Sequence, residues 1–274
     1  MNAMDFSAFD FSGRHVFVAG GSSGINFGIA QAFARSGARL TVISRSADKV
    51  ASAAQQLEGL GTQALGISAD VRQPQALERA FATAAERFGP IDVLVSGAAG
   101  NFLASATDMS PNAFKTVVDI DLLGSFNVAR LAHAHLRKPG ACVIQISAGQ
   151  AFIPTPFQAH VCAAKAGVDM LTQVLALEWG AQGIRINSIV PGPIADTEGL
   201  KRLAPSDDAM TAMANRVPLK RLGRIEDISR MALLLASDWG SYITGAIIPV
   251  DGGLALTGPR DFTAAAAASR RETA

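Results

Sequence analysis

Apolar residues along the chain fall into short unbroken runs that alternate with stretches where they recur every three or four positions. His15 to Ala19 (HVFVA) is such a run; it stops at Gly20-Gly21-Ser22-Ser23-Gly24 and gives way to the helical spacing of IAQAFARSG. The unit repeats. Strands RLTVIS, QALGIS, IDVLVS and ACVIQIS alternate with helices through Ala53 to Leu57, from Pro74 to Phe88 and, as one long element, from Pro111 to Leu136. IRINSIV and AIIPV flank a helix over Ile225 to Ala236, so the pattern predicts about seven strands. Runs that do not alternate polar and apolar are buried on both faces, as parallel strands between helix layers must be.

The prediction is one doubly wound α/β domain over residues 1–274, with no interdomain linker and no repeat of solenoid period. From Pro193 to Pro218 the rhythm breaks, with prolines at both ends and polar, acidic and methionine residues between. That interval is too long for an ordinary connection and predicts a mobile lid of short helices, about 193–220. After Leu256 the pattern lapses into an alanine run with a mixed-charge end, a short helix or frayed tail over about 257–274.

Composition narrows the function. A net charge of +1, from 24 Lys+Arg against 23 Asp+Glu, gives no field suited to nucleic acid or an anionic membrane surface. The longest apolar runs, such as Met231 to Ala236, fall far short of the roughly 20 residues that span a bilayer. The opening MNAMDFSAFDF has neither the basic start nor the apolar stretch of an export signal, and the end Glu272-Thr273-Ala274 is no peroxisomal address. Cys142 and Cys162 lack metal-ligand spacing, and His133 and His135 point to different sides of a helix, so no metal is expected. A reducing, cytoplasmic setting fits best.

The chemistry is concentrated at strand ends. The glycine turn follows the first strand and opens a helix, where backbone N–H groups face a pyrophosphate and a β-carbon would hold the phosphates away. At the end of the second strand, where dinucleotide folds read the adenosine ribose, Arg45 offers a guanidinium suited to a 2′-phosphate, which favours NADP(H) over NAD(H). Asp70-Val71 after the third strand offers an acceptor for the adenine amino group.

GGSSGI, Asp70-Val71, SGAAG after the fourth strand, Lys165 on a helix and PGPI at Pro191 to Ile194 together resemble the short-chain dehydrogenase/reductase family, from about Phe11 to Leu256. The resemblance implies a Rossmann-type domain, a nicotinamide cofactor and a homotetramer. It implies cofactor contacts from Gly20, Ser22, Ser23, Gly24, Ile25, Arg45, Asp70, Val71, Ala98, Lys165, Pro191, Gly192, Ile194 and Thr197.

The departures are more informative. The family's catalytic tyrosine stands four before its lysine, and in HVCAAK that place holds Val161; the single tyrosine, Tyr242, is far along the chain. Where the family has a serine this chain has Ala148, with Ser147 adjacent, and where it has an asparagine in the helix this chain has Asp121. GIG becomes Gly24-Ile25-Asn26, which puts cofactor affinity in question, and Ala19 replaces a threonine. Loss of the tyrosine and gain of Asp121, with AAGNF at Ala98 to Phe102 and PGPI followed by TEGL, resembles the 2,4-dienoyl-CoA reductase branch, most closely its peroxisomal type.

That chemistry accounts for the missing tyrosine, because reducing a conjugated dienoyl thioester turns no carbonyl into an alcohol. The site must supply donors to a dienolate and a proton for carbon. By resemblance, Asp121 and Lys165 hold the proton-delivering water and Lys165 also meets the nicotinamide ribose; beside an ammonium, Asp121 positions water rather than donating a proton. Arg72, Phe102 and Arg202 are the candidate acyl-CoA contacts, and Arg45 is placed to touch both ligands. His160 is an outsider for general acid, because one residue's offset from Val161 rotates a helical side chain by roughly 100°; Cys162 reads as packing. Alternatives remain: another acyl-CoA substrate, such as a 3-oxoacyl or terpenoid thioester, or a noncatalytic NADPH-binding regulator.

Overall fold

The computed structural model describes residues 9–204 and 206–257, so most of the start of the chain and nearly all of the tail lie outside the described residues. The strands are β1 His15–Ala19, β2 Arg39–Ser44, β3 Ala64–Ser68, β4 Val93–Ser96, β5 Cys142–Ile146, β6 Arg185–Pro191 and β7 Ile247–Val250. They form one seven-stranded sheet in the order β3-β2-β1-β4-β5-β6-β7, every neighbouring pair parallel. The Rossmann-type doubly wound fold expected from the unbroken apolar runs is therefore present.

Nine α-helices accompany the described strands: α1 Gly24–Arg35, α2 Ala47–Glu58, α3 Pro74–Phe88, α4 Pro111–Val118, α5 Gly124–Ala132, α6 Ala159–Trp179, α7 Glu198–Leu203, α8 Asp207–Arg216 and α9 Ile225–Ala236. Side-chain alternation along each strand builds a separate core on each face. Val16 and Val18 join Ile29 and Phe33 of α1, Leu57 of α2 and Ile228 and Leu235 of α9. Phe17 and Ala19 point the other way, into Phe81 of α3, Val128 of α5 and Leu175 of α6. Each fully buried side chain of this size contributes roughly 1.5–3 kcal/mol, and the polar residues inside the strands are few: Thr41, Gln145, Asn187 and Ser188, all fully buried. Among the described residues no helix is long and apolar enough to cross a membrane.

The long helix predicted from Pro111 to Leu136 is the main difference. It is broken into α4, a π-helical segment over Asp119–Leu123, α5 and a 3-10 turn over His133–His135. Gly124 N–H donates to Asp119 O, five residues back rather than four, and the Ser125 hydroxyl donates to the Asp121 carbonyl at 2.6 Å. A β-carbon at position 124 would lie 2.6 Å from Val71 Cγ2, so glycine is what lets this widened turn sit against the β3 loop. Apolar spacing alone does not register one extra residue in a turn. The 193–220 interval does hold short helices, α7 and α8.

Candidate functional site

From β1 the chain moves outward to β2 and β3 and then returns to β4 on β1's other side, which opens a crevice beyond the carboxyl ends of β1 and β4. Gly20 and Gly24 both adopt left-handed backbone angles there, φ +76° and +58°. A β-carbon on Gly20 would come within 3.0 Å of the Ala98 backbone. Ser23 caps α1 with its backbone extended and its side chain making no capping hydrogen bond, which leaves the helix's first N–H groups directed at the crevice. Ser22 and Ile25 are half-buried beside them.

Asn26, in place of a glycine, is buried and spans this turn. Its Nδ2 donates to Gly97 O at 2.7 Å and, more weakly, to Gly20 O at 3.4 Å. The two loops that flank the crevice are thereby tied by the residue that replaces the glycine.

Arg45 is exposed at the end of β2. Asp70 accepts from Arg72 Nη2 at 2.6 Å and Nε at 3.1 Å, and these contacts, with Arg45 adding its charge, hold the Asp70 carboxyl below the usual carboxylate range despite partial burial. The guanidinium that the sequence assigns to substrate is thus engaged by the residue it assigns to adenine. Val71 is buried and its carbonyl accepts from Asn127 Nδ2 at 3.1 Å. On the far side of the crevice β6 ends at Pro191, and Gly192 has no room for a β-carbon, which would lie 2.6 Å from Asp251 Cα. Ile194 is buried, and Thr197 caps α7, its hydroxyl donating to Ile194 O at 2.8 Å and accepting from Leu200 N at 3.3 Å.

Behind the crevice lies a buried polar cluster. Asp121, aimed inward from the π-helical segment, and Lys165, from the second turn of α6, approach to 3.4 Å with side chains 1% and 6% exposed. Asp121 Oδ1 accepts from Gly100 N at 2.7 Å, whereas Oδ2 is buried without a hydrogen bond. Lys165 Nζ also donates to Ile146 O at 3.0 Å. Val161, one turn before Lys165, is buried and offers no donor. Ser147 Oγ is buried without a well-formed hydrogen bond. One turn beyond Lys165, Asp169 accepts from Ser188 Oγ at 3.0 Å, and burial pushes its carboxyl up, against the opposing influence of the nearby Ser147 and Ser188 hydroxyls and the Lys165 charge.

The loop after β4 forms the roof. Phe102, 36% exposed, lays its ring against the fully buried His160, centroids 4.2 Å apart and planes tilted by 37°. Asn101 Oδ1 accepts from Gln158 Nε2 at 2.8 Å, Gln158 Oε1 accepts from Gln150 Nε2 at 2.7 Å, and Arg202 of α7 reaches Asn101 O at 3.4 Å. Phe102 and Arg202, two of the three residues offered as substrate contacts, therefore meet on one loop. The sequence reading quoted Asn101 only within the AAGNF motif and missed Gln150, Gln158 and Asp169. A polar residue just before a helix carries no pattern of its own; Asp169 alone left a signal, at the i+4 distance from Lys165.

The enoyl-(acyl carrier protein) reductase family model matches residues 19–255. The peroxisomal 2,4-dienoyl-CoA reductase, (3E)-enoyl-CoA-producing, of Pongo abelii is 45% identical over 247 residues, 89% of this chain and 85% of the relative. A probable 2,4-dienoyl-CoA reductase, (2E)-enoyl-CoA-producing, of Bacillus subtilis is 37% identical over 88% of this chain and 96% of its own length. The crystal structure of a short-chain type dehydrogenase/reductase from Mycobacterium marinum superimposes with a TM-score of 0.83 at 32% identity, over 90% of this chain and 98% of that one. With the strand order, the glycine turn after β1 and the lysine of α6 in place, the chain belongs to the short-chain dehydrogenase/reductase family of oxidoreductases.

Proposed function

We propose that this chain is an NADPH-dependent reductase of an unsaturated acyl-CoA, with a 2,4-dienoyl-CoA as substrate, acting in the breakdown of fatty acids or related thioesters. The observation that carries the reading is the residue set at the start of α6: Val161 where an alcohol-forming site needs a tyrosine, beside the buried Asp121–Lys165 pair at 3.4 Å. The names of the relatives from Pongo abelii and Bacillus subtilis agree with it.

The cradle fits a dinucleotide, because Gly20 and Gly192 have no room for a β-carbon, Gly24 takes a left-handed backbone angle and the α1 N–H groups are uncapped. Gly20, Ser22, Ser23, Gly24 and Ile25 hold the pyrophosphate, Arg45 the 2′-phosphate, Asp70 and Val71 the adenine, and Ala98, Lys165, Pro191, Gly192, Ile194 and Thr197 the nicotinamide half. When bound, the reduced dinucleotide supplies the hydride. Lys165 orients the nicotinamide ribose, and Asp121, with one oxygen fixed by Gly100, keeps the other for the water that delivers a proton to carbon. Phe102 packs the acyl chain while Arg202 and Arg72 meet the CoA phosphates.

The working form is a homo-oligomer, a tetramer by family resemblance. Phe114 of α4, Phe126 of α5 and Met170, Val174 and Leu177 of α6 are exposed apolar side chains on neighbouring helices, a surface suited to a second copy. Two free cysteines, one of them fully buried, suit a cytoplasmic location.

The test is oxidation of NADPH, followed by its absorbance, with a short 2,4-dienoyl-CoA beside a 3-oxoacyl-CoA, each repeated with NADH. Turnover of the dienoyl thioester alone is expected. Turnover of the 3-oxoacyl thioester alone would overturn the reading of Val161. Arg45→Asp is expected to erase the preference for NADPH; an unchanged ratio would remove Arg45 from the 2′-phosphate site.

A further inference from the structure

His160 is fully buried, and neither of its ring nitrogens makes a well-formed hydrogen bond. A buried polar group left without a partner costs about 1–3 kcal/mol, so a fold that keeps one at a cleft has a reason other than stability. The ring stands in the first turn of α6, one residue before Val161 and within reach of the Asp121 charge. Its cover is Phe102. The same loop, two residues earlier, covers Asp121 through the Gly100 amide. Phe102 is already 36% exposed, so a ligand that displaces its ring outward uncovers His160 and the Asp121 end of the cluster together.

The neighbouring groups narrow the role. Lys165 donates to Ile146 O and stands 3.4 Å from Asp121 Oδ2 without a hydrogen bond to it, and Val161 has no proton to give. We infer that His160 is a further catalytic residue of this site, whose ring N–H hydrogen-bonds the thioester oxygen as that oxygen gains charge. The inference rests on the dienoyl-CoA reading. As hydride from the reduced nicotinamide dinucleotide forms a C–H bond at the far end of the diene, the π electrons shift along the conjugated chain and leave the negative charge on the thioester oxygen. A water then gives a proton to carbon, forming the second C–H bond as its own O–H bond breaks, the carbonyl is restored, and the hydroxide left behind is reprotonated from solvent. The His160 N–H bond stays intact throughout. Burial holds the imidazole below its ordinary pKa, against the opposing Asp121 charge and the Phe102 backbone, which suits a neutral donor that keeps its proton. The one-residue offset from Val161, which the sequence counted against His160 as a proton donor, does not disqualify it as a donor to a different atom.

The test uses the full chain and three proteins: wild type, His160→Phe, which keeps a ring against Phe102, and His160→Gln, which restores an N–H. His160→Phe is expected to lower kcat on 2,4-hexadienoyl-CoA by about 100-fold, the scale of one lost oxyanion donor. NADPH affinity, read by the fluorescence of the bound nucleotide, should stay within about twofold, and the melting temperature should rise rather than fall because an unsatisfied group has gone. His160→Gln should recover part of kcat. Equal kcat in wild type and His160→Phe overturns the inference, as does a fall in melting temperature with no recovery in His160→Gln. If wild type does not turn over the dienoyl thioester, the functional reading fails separately. The inference is then decided by calorimetric binding of hexanoyl-CoA to the NADP+-saturated protein: about tenfold weaker binding in His160→Phe supports it, and unchanged binding overturns it.

Discussion

The sheet carries a buried polar cluster at each end, and the two are built on opposite terms. At the amino end, His15 places its ring nitrogens 2.9 Å from Gly89 O and 3.0 Å from Thr41 Oγ1. Asp92 beneath it accepts from His15 N at 2.8 Å, Arg14 at 3.2 Å and Arg137 at 2.5 Å. Each of these hydrogen-bonding groups has its partner, whereas Arg39 Nε, at the start of β2 beside His15, is buried without one. At the carboxyl end, Asp121 Oδ2, Ser147 Oγ and both His160 nitrogens are buried without one. A satisfied network fixes a fold, whereas an unsatisfied one stores free energy that a ligand can release. The first cluster is architecture, and the second is the machinery of the proposed function.

Four measurements would break or sharpen that contrast. Lys165→Met should cost about 10³-fold in turnover per folded molecule, within the range for a positioned acid–base group, and should lower the urea-unfolding free energy by about 3–5 kcal/mol because it strands the buried Asp121 carboxylate; unchanged turnover per folded molecule would make the carboxyl end architectural after all. Asp92→Ala should lower the unfolding free energy by about 1–3 kcal/mol, since it leaves the buried His15 amide without an acceptor, with turnover per folded molecule unchanged.

Next comes acid unfolding. Burial, outweighing the Gly89 and Asp92 contacts, pushes His15 down to about 4 from 6.5, so the folded ring is neutral where the unfolded one is charged. A depressed histidine contributes stability above the unfolded value and loses it as pH falls from 6.5 toward about 4. The integrated effect is about 3 kcal/mol. Asp92 is also held low: burial alone would raise it, but Arg137, the His15 amide and Arg14 prevail, so its share is lost only below the ordinary aspartate value. Thermal melts from pH 7 to 4 should therefore slope downward, and His15→Leu should flatten the upper part of that slope. The smallest effect concerns Gln145, fully buried in β5 with neither amide atom bonded. Gln145→Met should raise stability by about 1 kcal/mol, and a simultaneous loss of turnover would extend the machinery into the sheet.

What the sequence made legible follows from what burial writes into it. Strands such as HVFVA and RLTVIS are read because both faces demand apolar residues, and Pro74–Phe88 because proline and spacing mark its ends. Asp121 and Lys165 are conspicuous as charges among apolar neighbours, and the structure brings them together at 3.4 Å. The π-helical turn that aims Asp121 inward leaves no mark, since one added residue changes phase without changing composition. Arg72 was readable as a cation but not as the partner of Asp70, because pairing two residues apart depends on a turn rather than on a period. The orphaned nitrogens of His160 belong to its surroundings and exist only in three dimensions.

The clasp between the two crevice loops also has a history built into it. A β-carbon at Gly97 would lie 2.3 Å from Asn26 Oδ1, so no side chain can enter position 97 while asparagine stands at 26. The two positions are 71 residues apart, yet they cannot drift independently. A side chain at 97 would push the Asn26 amide off Gly97 O and so undo the tie between the two loops.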